Sequence, residues 1–195
     1  MTTGEFAQMI NGEGWLKGKK CSLTVVKMLN YTHNTEYILP VKPSPNLQSQ
    51  QSLYLYPSLG LFEGTPVSIG HGTSAPYESF GWPELKWGNL NFKPVSIKGV
   101  VEKPKFKNLE CTGFILTNHK MTKWGQNRIE LNWLVFSYNE SKEKPRFFND
   151  FFDKLAGTDI LRKQIIAGLT PDQIRESWVP GLEKFKLMRS KYLLY

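Results

Sequence analysis

Residues 53–73 read LYLYPSLGLFEGTPVSIGHGT, and the fold class turns on how this stretch divides. With the polar residues before it, LQSQQSLYLYPSLGLFEG reads as a helix. Proline fixes φ and removes a backbone donor, so the stretch forms either a helix that stops before Pro57, the favoured reading, or two short pieces around it. Beyond Gly64 the residues at 66–70 read as a short strand that breaks into a Gly/Thr-rich tail. Working outward, the opening segment is also helical: Phe6, Met9 and Ile10 share one face, Thr2 or Thr3 is the candidate N-cap, and Glu5 sits in the first turn. Further short strands are expected at 21–29 (CSLTVVKML), 92–97 (FKPVSI) and 111–117 (CTGFILT). Between the first of these and the helix, PVKPSPN carries three prolines and reads as a stiff extended loop.

The last third changes character. Ile129, Trp133 and Phe136 mark a helical face, and Phe148, Phe151, Phe152 and Leu155 mark another that stops at Gly157. A third helix runs from Thr158 to Gly168. TPDQIRESW is a start signal, with Thr170 as N-cap, Pro171 at N1 and Gln173 at N3. The terminal GLEKFKLMRSKYLLY puts Leu182, Phe185 and Met188 on one stripe. Helices and short strands are segregated instead of alternating as βαβ units. The expected class is α+β: a single domain with short strands in a mixed or antiparallel sheet and a helical C-terminal third.

The chain has 195 residues, 40% hydrophobic and 13% aromatic, which suits one domain with a substantial core and argues against disorder. Its longest apolar runs fall short of the roughly 18–20 residues that span a bilayer. The opening MTTGEFAQMINGEGW lacks the basic and apolar regions of a signal peptide. Cys21 and Cys111 have no metal-type spacing and are expected as buried free thiols. The formal charge of +8 allows a polyanionic partner. Apart from KGKK (17–20) and KPKFK (103–107), however, the lysines are dispersed and read as solvated surface. A nucleic-acid binder would need a clustered basic face with exposed aromatics. Here the aromatics fall on helical core stripes, so no nucleic-acid partner is expected. GEGWLKGKK misses the spacing of a nucleotide loop, and neither HExxH nor GxSxG occurs. His33, His71 and His119 lie far apart without acidic partners at ligand spacing, so neither a metal nor a cofactor is expected.

One residue does not fit a plain core. Glu63 stands between Phe62 and Gly64, and an ionised carboxylate is seldom buried without partners because desolvation costs several kcal/mol. Near it in sequence are polar groups framed by proline and glycine. Ser44 and Asn46 lie on the stiff loop, Tyr56 offers a flat apolar face, and Thr65, His71 and Thr73 follow Glu63. Rings beside hydroxyl, amide and carboxylate groups suit a sugar, whose C–H face stacks while its hydroxyls need partners. The same pattern also suits an ordinary core with polar loops, and the residue types leave both readings open.

GEFAQMINGEGWL, LTVVKMLNYTH, LPVKPSPNL, YLYPSLGLFEGT, VSIGHGT, FFDKLAGTDILRKQI and KYLLY resemble the C-terminal half of the NamZ-type exo-β-N-acetylmuramidases of bacteria. The resemblance runs through nearly the whole chain. It implies that residues 1–195 form the smaller α+β domain, with a larger Rossmann-like N-terminal domain outside this chain and an active site in the cleft between the two. The implied activity is hydrolysis of terminal N-acetylmuramic acid from the non-reducing end of peptidoglycan fragments, in the periplasm or outside the cell. Glu63 is the candidate for one of the two carboxyl groups that glycosidases use. Ser44, Asn46, Tyr56, Thr65, His71 and Thr73 are candidate sugar contacts. His71 departs from GRGT versions of the motif: an imidazole cannot clamp a carboxylate as a guanidinium does. The alternative function is a non-catalytic module that binds peptidoglycan through half a cleft.

Overall fold

The computed structural model describes residues 1–119 and 128–195. The chain divides into two compact units, Met1–Tyr37 with Arg175–Tyr195, and Ile38–Ile174. Its class is α+β. The order is α1 (Thr3–Gly12), α2 (Gln50–Leu59), β1 (Ser79–Trp82), β2 (Leu90–Phe92), β3 (Cys111–Ile115), α3 (Asn132–Glu140), α4 (Phe152–Ala156), α5 (Ile160–Ile166) and α6 (Pro171–Ser190). Single 3-10 turns at Gly60–Gly64 and Lys144–Arg146 add to these.

In the smaller unit, α1 starts on a reciprocal cap between Thr2 and Glu5. Met9 is fully buried, whereas Phe6 is half exposed. The expected strand at 21–29 joins no ladder among the described residues, and Val26 and Leu29 are each 88% exposed. β-Branched composition favours a pleated, half-buried surface, and it makes no strand without a partner edge. Cys21 lies on this segment and is an exposed free thiol, correcting the expectation of burial. Cys111 is buried and free as expected. Asn11 pins the segment locally, with both 2.9 Å bonds going to the Cys21 backbone.

The larger unit is built on a three-stranded antiparallel sheet in the order β1-β3-β2. Phe80 of β1 faces Phe114 of β3, and Leu90 of β2 faces Gly113. Trp133 and Phe136 of α3 lay their rings on Phe80, Trp82 and Phe114, so the predicted aromatic face covers the sheet. Residue 127, where the predicted α3 segment began, lies outside the described residues. β2 ends at Phe92 and does not run on to 97, because Pro94 cannot donate to a ladder. The strand expected at 66–70 contracts to one bridge, in which Ser68 and Gly81 exchange two 3.0 Å backbone bonds.

Two helices run through prolines. α2 starts on a reciprocal Ser49–Ser52 cap and continues past Pro57 to Leu59. Leu55, Ser58 and Leu59 are all buried, and that packing outweighs the roughly 3 kcal/mol of an interior proline. α6 likewise passes Pro180 as one helix. Its start is as predicted: the Thr170 N–H donates to the Gln173 side chain and the Gln173 N–H to the Thr170 hydroxyl. Gly157 ends α4 with φ 71°. α4 packs on the 3-10 turn at Gly60–Gly64, where the Asn149 N–H donates to the Gly64 carbonyl at 3.0 Å. Phe62, Phe80, Phe147, Phe152, Leu134 and Ile174 fill the core behind that turn.

Candidate functional site

The end of α2 tightens into the 3-10 turn, and this delivers Glu63 to the edge of the core. Leu61 and Phe62 are buried beside it, while Glu63 itself is half-buried. It lines a recess of about 220 Å³ with Ser68, Ile69, His71, Val101, Lys103, Pro104 and Lys105. The Tyr77 hydroxyl donates to Glu63 Oε1. Burial, that hydrogen bond and the Glu63 charge together raise the Tyr77 pKa, so the phenol keeps its proton and remains a donor.

Lys105 crosses behind the turn. Its ammonium donates to the carbonyls of Phe62 (2.9 Å), Thr65 (2.6 Å) and Val67 (3.1 Å), which bracket Glu63 in sequence. An ammonium has three hydrogens, so these three acceptors saturate it. Burial pulls its pKa down to about 8, with Glu63 working in the opposite direction. The cation braces the turn and places positive charge behind the carboxylate.

His71 sits between Gly70 (φ 77°) and Gly72 (φ 80°). Both glycines are required. A Cβ on Gly70 would lie 2.3 Å from the Ala75 carbonyl oxygen, and one on Gly72 2.4 Å from that of Val95. The imidazole meets the Tyr77 ring edge-on at 5.1 Å, and its Nε2 is buried with no partner. Burial lowers the His71 pKa; Glu63 opposes this and Lys105 reinforces it, which keeps the ring neutral near pH 7.

Of the sequence candidates, Glu63 and His71 line the same recess, and Tyr56 adjoins it through Tyr77, with ring centroids 5.1 Å apart and 45% of Tyr56 exposed. Thr65 is buried; its hydroxyl donates to the Phe62 carbonyl and accepts from the Val67 N–H. The Thr73 hydroxyl donates to the Gly70 carbonyl and accepts from the Ala75 N–H, so it shapes the histidine turn. Ser44 and Asn46 are not among the recess lining, and the Asn46 N–H donates to the Ser44 hydroxyl within their own loop. Sequence reasoning missed Tyr77, Ser68 and Lys105. The lysine lies in KPKFK, one of the two basic clusters that stand apart from the dispersed lysines, but nothing in that cluster ties it to Glu63. Among the described residues no group of three His, Cys, Asp or Glu side chains is arranged to hold a metal ion, and no helix is long and apolar enough to cross a membrane.

A carboxylate held by a phenol beside a partly apolar recess has the chemistry to hold a polar organic group and to exchange a proton with it. The chain belongs to the exo-β-N-acetylmuramidase NamZ family. Residues 54–195 match the family model for the NamZ C-terminal part, and residues 1–51 match that for the N-terminal part. The chain is 31% identical to the peptidoglycan β-N-acetylmuramidase NamZ of Bacillus subtilis (strain 168), covering all of this chain and 50% of that protein. A crystal structure of a DUF1343 family protein from Bacteroides fragilis superposes over the whole chain with TM-score 0.94 at 44% identity. A second one from the same organism covers 98% of the chain with TM-score 0.70 at 20% identity and shows the shared fold. The chain spans 55% of each of those structures, about half the length of the relatives it matches.

Proposed function

We propose that this chain is part of a glycoside hydrolase that removes terminal N-acetylmuramic acid from the non-reducing end of peptidoglycan fragments. In this reading the recess around Glu63 is one wall of the substrate cleft. The single observation that carries it is Glu63, held by the Tyr77 hydroxyl, in the lining of a recess with both polar and apolar walls, in a chain of the NamZ family.

The chemistry follows the two-carboxyl logic of glycosidases. One carboxyl protonates the leaving oxygen and the other activates water or attacks carbon. Glu63 serves as one of them, oriented by the Tyr77 hydroxyl and set in the field of Lys105. The second comes from the part of the relatives' length that this chain does not span. The substrate places the enzyme where peptidoglycan lies, in the periplasm or outside the cell.

The test is Glu63→Gln in the complete two-domain protein, assayed on a chromogenic glycoside of N-acetylmuramic acid. Loss of a positioned acid or base lowers turnover by about 10²–10⁴-fold. Turnover within a few-fold of the parent removes Glu63 from the chemistry. Retention of insoluble peptidoglycan by the chain together with undiminished turnover in the variant would favour the wall-binding alternative.

A further inference from the structure

The recess contains two buried polar atoms that the chemistry above leaves unused. Ser68 is 1% exposed, and its Oγ has no hydrogen-bond partner. His71 Nε2 is the second. Both residues line the same 220 Å³ space as Glu63. A buried polar group without a partner costs about 1–3 kcal/mol, so two in one recess need a physical reason. Neither is there through looseness. The Ser68 backbone is tied on both sides to Gly81, and His71 is clamped between two left-handed glycines.

The geometry points to this recess as the pocket for the acetamido group of the sugar, with Ser68 and His71 as its hydrogen-bonding pair. The inference rests on the glycan-cleaving reading of the same site and names which part of the substrate enters. The Glu63 carboxylate in the same lining disfavours an anionic group. Of the two lysines in the lining, Lys103 is exposed to solvent, and Lys105 gives all three of its hydrogens to backbone carbonyls. Lys105 therefore has no donor for a carboxylate, and the imidazole is uncharged. A neutral hydroxyl and a neutral imidazole supply one donor and one acceptor, the complement of an amide C=O and N–H. The tautomer of His71 sets which atom takes which role. Ile69, Val101 and Pro104 line the same space and receive the acetyl methyl, which a plain sugar hydroxyl would leave unfilled.

The test compares the complete protein and its Ser68→Ala variant on chromogenic glycosides of N-acetylmuramic acid and of its N-deacetylated counterpart. The expected result is a strong preference for the acetylated glycoside in the parent, narrowed about tenfold in the variant, as one lost neutral hydrogen bond would give. An unchanged ratio overturns the proposal. Thermal unfolding of the variant accompanies the assay. Removing a hydroxyl that has no internal partner leaves the midpoint unchanged or raised, and a fall of several degrees would mean the hydroxyl serves the fold, which also overturns it. Should the parent cleave neither glycoside, the cleavage reading fails by itself. The pocket is then tested by NMR on the His71 ring signals of this chain, with the acetylated and de-acetylated free sugars as probes. Shifts with the acetylated sugar alone support the acetamido pocket; shifts with both or with neither overturn it.

Discussion

Glu5 offers the sharpest quantitative test, because its side chain is fully buried and all its partners are named. Oε1 accepts from the Leu194 N–H at 2.7 Å; Oε2 accepts from the Thr2 N–H at 2.6 Å and meets His33 Nε2 at 2.9 Å. Burial alone would raise its pKa. The backbone donors of Leu194 and Thr2, with His33, outweigh burial and hold it at about 2 against an ordinary 4.5. The folded pKa lies below the unfolded one, so the stabilisation is fully present above about pH 4.5 and is lost as pH falls toward 2. At about 1.4 kcal/mol per pH unit, the difference is about 3 kcal/mol. Glu5→Gln removes it at neutral pH, since a carboxamide has one acceptor oxygen and turns its NH₂ against donors. Urea unfolding of both proteins should show the variant less stable by about 3 kcal/mol near pH 6, with the gap closing below 1 kcal/mol near pH 2. A gap that stays constant across that range, or that is under 1 kcal/mol at pH 6, refutes the assignment.

Lys105→Met leaves the Phe62, Thr65 and Val67 carbonyls without their donor while relieving the burial of an ammonium. The net loss is expected at about 1–3 kcal/mol in denaturant unfolding at neutral pH. The exposed Lys103→Met is the control and should stay within about 0.5 kcal/mol. With a thiol-reactive chromogenic disulfide, Cys21 should react promptly in the native protein. Cys111, buried and with its thiol pKa pushed up to about 11, should react only on unfolding, and two fast thiols would contradict this.

Local signals were legible where local physics decides. The caps at Thr2 and Thr170, the stop at Gly157 and the aromatic face of α3 all follow from neighbours within a turn or two. The errors share one cause, which is that partners distant in sequence outvoted local preference. Pro57 sits inside a helix instead of ending it, and the buried Leu55 and Leu59 hold the backbone helical there. Residues 21–29 have strand composition but no edge to join among the described residues.

In the candidate recess the sequence singles out the carboxylate and not the side chains that support it. Glu63 stood out because a lone charge interrupts an apolar run. What fixes it comes from Tyr77 and Lys105, each in a stretch with no periodicity to read. Backbone strain marks both places. Tyr77 has φ 57°, and Phe106, directly after Lys105, also has φ 57°. A left-handed aromatic residue costs about 1–2 kcal/mol and persists only where its surroundings over-determine it. They do so here: the Tyr77 N–H donates to the Ile69 carbonyl at 2.8 Å, and the Leu109 N–H returns to the Phe106 carbonyl at 2.9 Å. At Tyr77 the strained backbone carries the side chain that donates to Glu63, so the turn that holds the phenol is over-determined by packing and by the Ile69 bond, and no local pattern in the sequence announces it.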